Sequence, residues 1–351
     1  MLSEIHSSIK RAYNYATIWG KVLVMLVVIL LLIIAFKPYF GLHYIKTKEH
    51  FENENNKENN NEENNENNEE NNEENINKSN KKTLTTITEY KYTFKHNGDI
   101  YDDFYANIYD NMFFHNIKLD HEIAEIENNT GMNSQSGCKI LDIGCGIGHH
   151  VSRLSAKGYD VLGVDQSTAM IKKAKATYPT CDFEVVNILN NPTIFAPATF
   201  SQILCLYFTI YYVQDKPSFF KMCYEWLKPG GFLVIHLVNR VKFDPILPPA
   251  QKDFPISPQK LAKKRITQTI VKTDDFKYYA DFQLNDVADT AHFVEKFKHN
   301  NGHIRKHKHV LYMQKMNVIE SFATDAGFKF TGRYDMKDCG YEYQYLYFFT
   351  K

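Results

Sequence analysis

The sequence lacks a net charge and a cysteine pattern, and each absence excludes a class of function. Its 41 Lys and Arg residues balance 41 Asp and Glu residues, so no general affinity for nucleic acid is expected. The six cysteines include no CxxC pair and no His/Cys spacing typical of a metal site, which excludes structural zinc and a disulfide framework. We expect reduced, mostly buried thiols in a cytosolic domain.

The N-terminal third contains one long apolar run instead of a catalytic motif. Residues 22–36 are uninterrupted apolar sequence, and extension back to Ala16 adds only Lys21, which gives about 20 residues, enough to span a bilayer. A cleaved signal peptide is the alternative, but the long preceding segment and the lack of a small-residue cleavage site favour an uncleaved anchor. The sequence therefore predicts an N-terminal segment at 1–15 and a transmembrane helix at 16–36.

Residues 37–89 comprise a short juxtamembrane segment and a polar tract in which Asn, Glu and Lys predominate between Phe51 and Lys82. Such a composition buries too little apolar surface to offset the conformational entropy lost on folding. We therefore expect a disordered, solvated tether, followed by a folded domain at 90–351.

One stretch has a pattern typical of a nucleotide site. Residues 141–148 are an apolar run that leads into three alternate glycines, and Asp165 follows about twenty residues later. Glycines let a ligand approach bare backbone between a buried strand and a helix N-terminus. Asp165 ends the second strand of a βαβ unit, where a carboxylate accepts hydrogen bonds from both ribose hydroxyls. The alternative is an ordinary strand-to-helix turn that needs glycine for its backbone angles.

The glycine spacing distinguishes between candidate ligands. A dinucleotide fingerprint is GxGxxG, whereas these glycines follow GxGxG, and Asp142 precedes them at the strand end. A buried carboxylate there repels a phosphate and attracts an ammonium. S-adenosylmethionine has an ammonium, a ribose and no phosphate. The segment resembles the first motif, DxGxGxG, of the class I S-adenosylmethionine-dependent methyltransferases, and Asp165 resembles the acid of their second motif.

The resemblance implies a fold. It is α/β: a doubly wound Rossmann-like sheet with an antiparallel C-terminal edge hairpin and a β-rich, substrate-covering insertion at about 245–312. The sequences LeuLysProGlyGly at 227–231 and AlaGlyPhe at 326–328 match further signatures of the family. The YxxxYD segment at Tyr105 and Tyr109 resembles the segment that covers the cofactor in small-molecule N-methyltransferases of the sugar N,N-dimethyltransferase and glycine or sarcosine type. Core packing of a helical stripe explains the same aromatics equally well.

The resemblance also implies contacts with the cofactor. The family usually carries an acid for the adenine amino group at the end of the third strand, where this chain has Asn187. Its side-chain oxygen accepts the same hydrogen bond without charge, and Ile188 offers a backbone amide. Cys205 and Leu206 end the central strand, near the transferable methyl, unless Cys205 is simply buried. The predicted cofactor-binding residues are Tyr105, Tyr109, Asp142, Gly144, Cys145, Gly146, Gly148, Asp165, Gln166, Asn187, Ile188, Cys205 and Leu206.

Two residues are candidate catalytic groups. His236 lies near the end of the strand after the ProGlyGly turn, where an ionisable side chain faces the substrate, although a structural histidine is the alternative. Tyr211 belongs to 209–212, which we expect to continue the central strand at 201–208. Transfer from a sulfonium depends mainly on alignment, so a general base is not required.

Beyond Lys242 the chain has several prolines and then alternating segments that predict antiparallel strands. Arg305, His307 and His309 share one face of the last of these segments. We predict a solvated face and no metal, because neighbouring basic residues and a missing carboxylate argue against an ion.

The resemblance, which covers about residues 100–351, implies an S-adenosylmethionine-dependent methyltransferase that acts on a small molecule, an amine by analogy. The apolar run at 16–36 separately predicts that a single-pass helix holds this enzyme at a membrane. Lysines flank the anchor on both sides, so a cytosolic orientation follows only from the source of the cofactor. Two alternatives stay open: a lipid or isoprenoid headgroup methyltransferase, and a non-catalytic scaffold that binds the cofactor. No nucleic-acid partner is expected, and a homodimer stays open.

Overall fold

The computed structural model describes residues 92–134, 137–245, 259 and 262–351. The predicted N-terminal segment (1–15), transmembrane helix (16–36) and tether (37–89) lie outside these residues and stay predictions. None of the helices in the described ranges combines the length and the apolar character that a membrane crossing requires.

Strands and helices alternate along much of the chain. In chain order the strands are β1 (Tyr92–His96), β2 (Lys139–Ile143), β3 (Asp160–Asp165), β4 (Asp182–Val185), β5 (Phe200–Cys205), β6 (Leu227–Val238), β7 (Gln268–Lys272), β8 (Phe276–Asn285), β9 (Thr290–His299), β10 (Ile304–Tyr312), β11 (Lys329–Asp335) and β12 (Gln344–Thr350). The helices are α1 (Asp103–Met112), α2 (Asn116–Thr130), α3 (His149–Ala156), α4 (Thr168–Thr177), α5 (Thr209–Tyr212), α6 (Lys216–Trp226) and α7 (Met316–Asp325). The alternation between β2 and β6 is typical of a parallel α/β sheet.

A seven-stranded sheet has the order β11-β12-β6-β5-β2-β3-β4. In this order the five neighbouring strands β6-β5-β2-β3-β4 pair in parallel. At the edge, β12 pairs antiparallel with β6, and β11 pairs antiparallel with β12. The central parallel strands β2 and β5 are buried on both faces, as a position between two helix layers requires, whereas the edge strand β4 is largely exposed. This order confirms the predicted Rossmann-like sheet with its antiparallel edge hairpin.

A second sheet of five strands has the order β1-β10-β9-β8-β7. Four of its strands lie within the predicted β-rich insertion, where the alternating sequence places every second side chain on a buried face. Two features were not predicted. The strand β9 continues the antiparallel meander, and β1, which precedes the glycine motif, pairs in parallel with β10 at the edge.

The central strand is shorter than predicted. It ends at Cys205, and residues 209–212 form the short helix α5 instead of continuing the strand. The chain turns at Tyr207, whose φ of +53° is rare for a residue with a side chain. The amide of Tyr211 then donates to the carbonyl of Phe208 at 3.0 Å, which closes the helical turn.

Two buried cations link the sheets. The Lys216 ammonium, at the start of α6, donates to the carbonyls of Val213 at 2.8 Å and of Tyr312, at the end of β10, at 2.7 Å. The Arg240 guanidinium, just after β6, pairs with Asp286 at 2.7 Å in the β8–β9 hairpin. These bonds hold the second sheet over the edge of the first.

Candidate active site

A cavity of about 760 Å³ lies at the carboxyl ends of the parallel strands, where open α/β sheets bind ligands. One side is formed by the turn after β2 and by the end of β3. The other side is formed by α5 and by the second sheet. Its walls bring together residues from distant parts of the chain, among them Tyr101, Tyr105, Tyr109, Gly144, Gly146, Asp165, Gln166, Asn187, Ile188, Tyr212, Phe293 and His309.

The glycine turn presents bare backbone to this cavity. Gly144 and Gly146 have φ values of +71° and +56°, a region that side-chain-bearing residues rarely adopt. A Cβ atom at Gly144 would lie 2.5 Å from the Thr209 side chain, whereas one at Gly146 would meet no described atom within 4 Å. The space over Gly146 is therefore open to a ligand.

Asp165 faces the cavity beside the turn. Its Oδ2 accepts a hydrogen bond from the Gly146 amide at 3.0 Å, and its Oδ1 accepts from the Ser167 amide at 2.8 Å. Burial raises the pKa of this carboxyl, and the two amide donors partly offset that effect. Each carboxylate oxygen keeps a second lone pair, so the group can still accept hydrogen bonds from a vicinal diol.

Asp142 lies below the turn and is 2 % exposed. No described residue gives a hydrogen bond to its Oδ2, although a buried polar atom is normally paired. Burial raises the pKa of Asp142 to about 6, and the nearby carboxylates of Asp165 and Glu122 add to this effect while His150 opposes it. An orphaned, buried acceptor of this kind fits a ligand that brings an ammonium.

A smaller pocket of about 80 Å³ adjoins this carboxylate. Asp142, Gly144, Cys145 and Leu206 line it, so these predicted residues lie together. Gly148 is different, because it lines neither cavity and a Cβ there would lie 2.5 Å from the Phe183 ring. Its glycine is required by packing and by a φ of +88° at the start of α3.

The predicted adenine end also lies in one place. Gln166, Asn187 and Ile188 line the large cavity at the ends of β3 and β4. The Asn187 amide nitrogen donates to the Gln166 side-chain oxygen at 3.2 Å, and its own oxygen accepts from the Leu189 amide at 3.1 Å. The Asn187 side chain is thereby oriented before any ligand is bound.

The aromatic helix α1 closes the cavity from above the turn. Asp102 caps the helix by accepting a hydrogen bond from the Tyr105 amide at 3.3 Å. Tyr105 is buried and packs edge-on against Tyr101 at 5.2 Å, while Tyr109 is half-buried, and all three line the cavity. Packing and ligand contact, the two readings of these tyrosines, are compatible here.

The structure corrects the prediction that His236 faces the substrate. Its side chain is fully buried and lines neither cavity. Its Nδ1 lies 2.7 Å from the Tyr207 carbonyl oxygen, to which it donates, and burial lowers its pKa to about 4. The neutral ring therefore holds the strained Tyr207 backbone in place instead of contacting a ligand.

Tyr211 and Cys205 are also buried away from the cavity. The Tyr211 hydroxyl accepts a hydrogen bond from the Val238 amide at 2.8 Å, so it fixes α5 to the end of β6. The next residue, Tyr212, lines the cavity instead, because residues 209–212 are helical and adjacent side chains point in different directions.

The prediction of a solvated face at Arg305, His307 and His309 is wrong. All three are buried, and the carboxylate that the sequence appeared to lack is Glu295 on the neighbouring strand β9. In the antiparallel register His307 lies directly opposite Glu295. The alternation of Ala291, Glu295 and Phe297 with more exposed residues was the available signal, but it predicts only a half-buried strand and not its partner.

Glu295, His307 and His309 offer ligand atoms within 4.8 Å of one another, a spacing that a metal ion can bridge. Hydrogen bonds already satisfy the cluster, however. The Arg305 Nε donates to His307 Nε2 at 2.6 Å, and both imidazoles contact Glu295 Oε2. A guanidinium donor against one imidazole opposes a cation at this place, so the geometry does not identify these residues as metal ligands.

Comparison with known proteins agrees with the architecture. Residues 140–231 match a family described as a methyltransferase domain. Phosphoethanolamine N-methyltransferase 1 of Zea mays is 38% identical over 109 residues, which cover 30% of this chain and 21% of that protein. A mitochondrial ubiquinone biosynthesis O-methyltransferase of Rattus norvegicus is 31% identical over 124 residues, which cover 32% of this chain and 34% of that protein. The chain thus spans about a fifth to a third of these relatives.

Two solved structures share the fold. An S-adenosylmethionine-dependent methyltransferase from Clostridium acetobutylicum ATCC 824 has a TM-score of 0.54 at 18% identity, over 71% of this chain and 98% of that one. The CcbJ methyltransferase from Streptomyces caelestis has a TM-score of 0.53 at 16% identity, over 71% and 97% of the two chains. At these identities the likeness concerns the fold alone.

Proposed function

We propose that this chain contains a class I S-adenosylmethionine-dependent methyltransferase domain and that it transfers the methyl group of that cofactor to the nitrogen of a small amine. The observation that carries the proposal is a single cavity with a bare glycine turn and an acid on one wall and aromatic side chains on the other. Its volume lies in the range that holds a cofactor and a small acceptor together.

S-adenosylmethionine fits the residues of the cavity. The orphaned Oδ2 of Asp142 suits its ammonium, and the free lone pairs of Asp165 suit its ribose hydroxyls. The open space above Gly146 lets the nucleoside approach the backbone. Asn187 and Ile188 line the same cavity, and their side-chain oxygen and backbone amide suit the donor and the acceptor of an adenine edge.

When bound, this cofactor would supply a methyl group on a positively charged sulfur, which would leave as a neutral sulfide. The protein therefore contributes chiefly by aligning the acceptor nitrogen with the methyl and by excluding water. The aromatic wall, with Tyr101 and Tyr212 at its polar points, is suited to both tasks.

The charge of the cavity favours an amine over a phosphate ester. Its described lining includes Asp165, Asp244 and Glu342 and no Lys or Arg, whereas phosphate groups are usually held by Arg or Lys. Acidic and aromatic groups together suit a cationic ammonium with an apolar body. The phosphoethanolamine relatives cover too little of their own length to transfer their substrate to this chain.

Cofactor binding is tested by titrating the full chain with S-adenosylmethionine in a calorimeter. We expect Asp165→Ala to weaken binding by about 1–3 kcal/mol, or roughly five- to a hundred-fold, because buried hydrogen bonds to the ribose are lost. Asp160→Ala is the matched control, since Asp160 begins the same strand and is exposed at its other end. Equal affinity of the two variants contradicts the ribose assignment.

The acceptor is tested with radiolabelled methyl donor and fractions of a cell extract. Label in a basic, water-soluble product supports the amine. Label in the organic phase supports the alternative of a lipid or isoprenoid headgroup, which is favoured by the apolar side chains of Phe243, Phe282 and Leu311 in the same cavity. Cofactor binding without any transfer supports the scaffold alternative and contradicts the enzyme proposal.

Membrane tethering stays part of the proposal and rests on the apolar run at 16–36. Retention of the full chain in carbonate-washed membranes is expected. Removal of residues 1–48 is expected to release it, and retention of that shortened chain counts against the anchor.

A further inference from the structure

The second sheet carries a buried polar cluster that the proposed reaction has not yet used. It consists of Arg305, His307 and His309 on β10 and Glu295 on β9, all of which are less than a tenth exposed. Buried ionisable groups are costly unless they are paired, so a cluster of four in one small sheet needs a reason. The cluster joins the cavity at His309, which lines it, whereas His307 does not.

The hydrogen bonds of the cluster define where each proton lies. Burial opposes ionisation of Glu295, but the hydrogen bond from His307 and the proximity of His309 lower its pKa to about 2, so it is a carboxylate. A carboxylate only accepts hydrogen bonds. His309 Nε2, 2.7 Å from Glu295 Oε2, must therefore carry a proton, and in the neutral ring Nδ1 keeps its lone pair.

That lone pair is directed at a tyrosine. His309 Nδ1 lies 2.7 Å from the Tyr212 hydroxyl, which in turn accepts a hydrogen bond from the Tyr101 hydroxyl at 2.8 Å. Tyr212 therefore gives its own proton to His309. Burial raises the pKa of Tyr212 above its ordinary value, so the phenol stays protonated. Tyr212 can therefore pass a proton on to His309 but does not keep a negative charge.

This hydrogen-bonded chain reaches the large cavity. Tyr101, Tyr212 and His309 all line the cavity that also contains Gly146 and Asp165. The proposed cofactor and the end of the hydrogen-bonded chain thus share one cavity. Tyr278 and Tyr105 donate to the other oxygen of Glu295, at 2.6 and 3.4 Å, and so fix the carboxylate from behind.

We propose that Tyr212 and His309 form a proton relay that deprotonates the acceptor amine, with Glu295 as the residue that positions and charges the relay. This inference rests on the proposed methyl transfer to nitrogen. The proposed base is His309 on the second sheet. It lies 73 residues after His236, which the sequence had favoured because of its position in the parallel sheet.

The step balances as follows. The acceptor ammonium gives a proton to the Tyr212 oxygen as the Tyr212 proton moves to His309 Nδ1, and the resulting imidazolium is stabilised by the Glu295 carboxylate. The freed nitrogen lone pair then forms the N–C bond while the C–S bond breaks and its electron pair stays on sulfur. The proton leaves His309 for solvent by the same route after the product departs.

Several titratable groups face the relay and bear on its pH dependence. Glu295 and Tyr212 contact His309 directly, and Phe293, an apolar ring, packs against it at 5.4 Å. The remaining titratable or charged neighbours come from α1 and the turn before it, from β8 and from β10; they are Tyr101, Tyr105, Tyr278, Arg305 and His307. Only Glu295 among these contacts lies directly on His309 with a negative charge, so it dominates the response to substitution.

The experiment has a spectroscopic part that does not depend on turnover. The full chain, labelled with ¹⁵N in its histidine rings and bound to S-adenosylhomocysteine, is compared with His309→Gln to assign one ring. We expect a proton on Nε2 and none on Nδ1 of His309. We also expect Tyr212→Phe, which keeps the ring packing, to shift the Nδ1 resonance, while His299→Gln leaves it in place. The opposite tautomer, or a resonance indifferent to Tyr212→Phe, overturns the relay.

The kinetic part uses phenethylamine as the probe and follows labelled methyl transfer from pH 5.5 to 9. Tyr212→Phe and His309→Gln are expected to lower kcat about 10²-fold or more with little change in KM. Glu295→Gln is expected to lower the plateau and move the acid limb to lower pH, because an amide stabilises the protonated ring less than a carboxylate does.

His299→Gln is the matched control, because His299 lies on β9 of the same sheet and packs against Phe104 and Phe276, but it makes no described hydrogen bond to Glu295 and does not line the cavity. It is expected to keep the wild-type pH profile. An identical change of profile in His299→Gln and His309→Gln would show that any loss of packing in this sheet has the same effect, and would overturn the relay. If the labelled chain binds S-adenosylmethionine but methylates no amine, the proposed function fails, and the relay fails with it as a catalytic device whatever the spectrum shows.

Discussion

The two sheets contribute to the cavity in opposite ways. The parallel sheet provides a surface of backbone, because Gly144 and Gly146 have no side chains and Asp165 is held by two amides. The antiparallel sheet provides side chains, because its register places Glu295, His307 and His309 together. In the proposed reaction the first wall holds the cofactor and the second wall contacts the acceptor.

The largest effect is expected when one methyl group is added to the glycine turn of the parallel sheet. Gly144→Ala combines a φ of +71° with a contact of 2.5 Å to Thr209, so we expect a loss of about 3 kcal/mol or more in the free energy of unfolding. Gly146→Ala has a similar φ but open space, and we expect about 1 kcal/mol. Thermal and urea unfolding measure both.

The same pair separates folding from binding. The methyl group of Gly146→Ala points into the space proposed for the nucleoside, so this variant is expected to fold and yet to lose S-adenosylmethionine affinity. Normal affinity in Gly146→Ala, measured by calorimetry, would contradict the view of this turn as a bare surface for the ligand.

A second prediction concerns the link between the sheets. Burial lowers the pKa of Lys216 to about 7 from an ordinary value of 10.5. The folded chain therefore binds fewer protons than the unfolded chain between pH 7 and 10.5. The contribution of Lys216 to the free energy of unfolding is therefore lowest below pH 7. It rises across that window by on the order of 1 kcal/mol per pH unit.

Replacement of Lys216 is expected to remove this rise in the free energy of unfolding. Lys216→Met keeps the volume of the side chain and has no proton to bind, so its urea unfolding is expected to show a flatter pH dependence from 7 to 10. Lys221→Met is the matched control, because Lys221 is exposed on the same helix. A slope that survives in Lys216→Met would place its origin elsewhere.

The smallest predicted effect concerns the binding of adenine at Asn187. Asn187→Asp introduces at the end of β4 the acid that the family usually carries, and we expect S-adenosylmethionine to bind a few-fold more tightly, by about 1 kcal/mol, because a charged acceptor strengthens the bond to the adenine amino group. Asn190→Asp, on the same turn and exposed, controls for added charge. Weaker binding in Asn187→Asp would argue against adenine at this place.

The backbone wall was predictable from sequence, and the side-chain wall was not. Alternate glycines and a spaced acid describe a local strand-turn-helix unit, so Asp142, Gly146 and Asp165 were identified without knowledge of the rest of the fold. Asn187 and Ile188 followed from the same repeating unit. In each case the side chains that meet are close in sequence or in equivalent positions of parallel strands.

Each failed prediction has a physical cause. Tyr211 was assigned on the assumption that the central strand continues, but the left-handed turn at Tyr207 shortens that strand. His236 was assigned to the end of β6, but this strand continues to Val238 and the ring is buried against the Tyr207 carbonyl. Glu295 was missed because its pairing with β10 depends on hairpin register, and a shift of one residue reverses the face of every side chain. Non-local register is not encoded in a short motif.

The pairing of β1 with β10 has a consequence for how the protein is made. Thr93 and His303, which meet at this edge, are 210 residues apart, so β1 leaves the ribosome long before its partner strand exists. Vectorial synthesis thus leaves an unpaired strand waiting, a state prone to wrong pairing. The parallel sheet can begin to form in the meantime, and the strand that bears His309 completes the edge only late in translation.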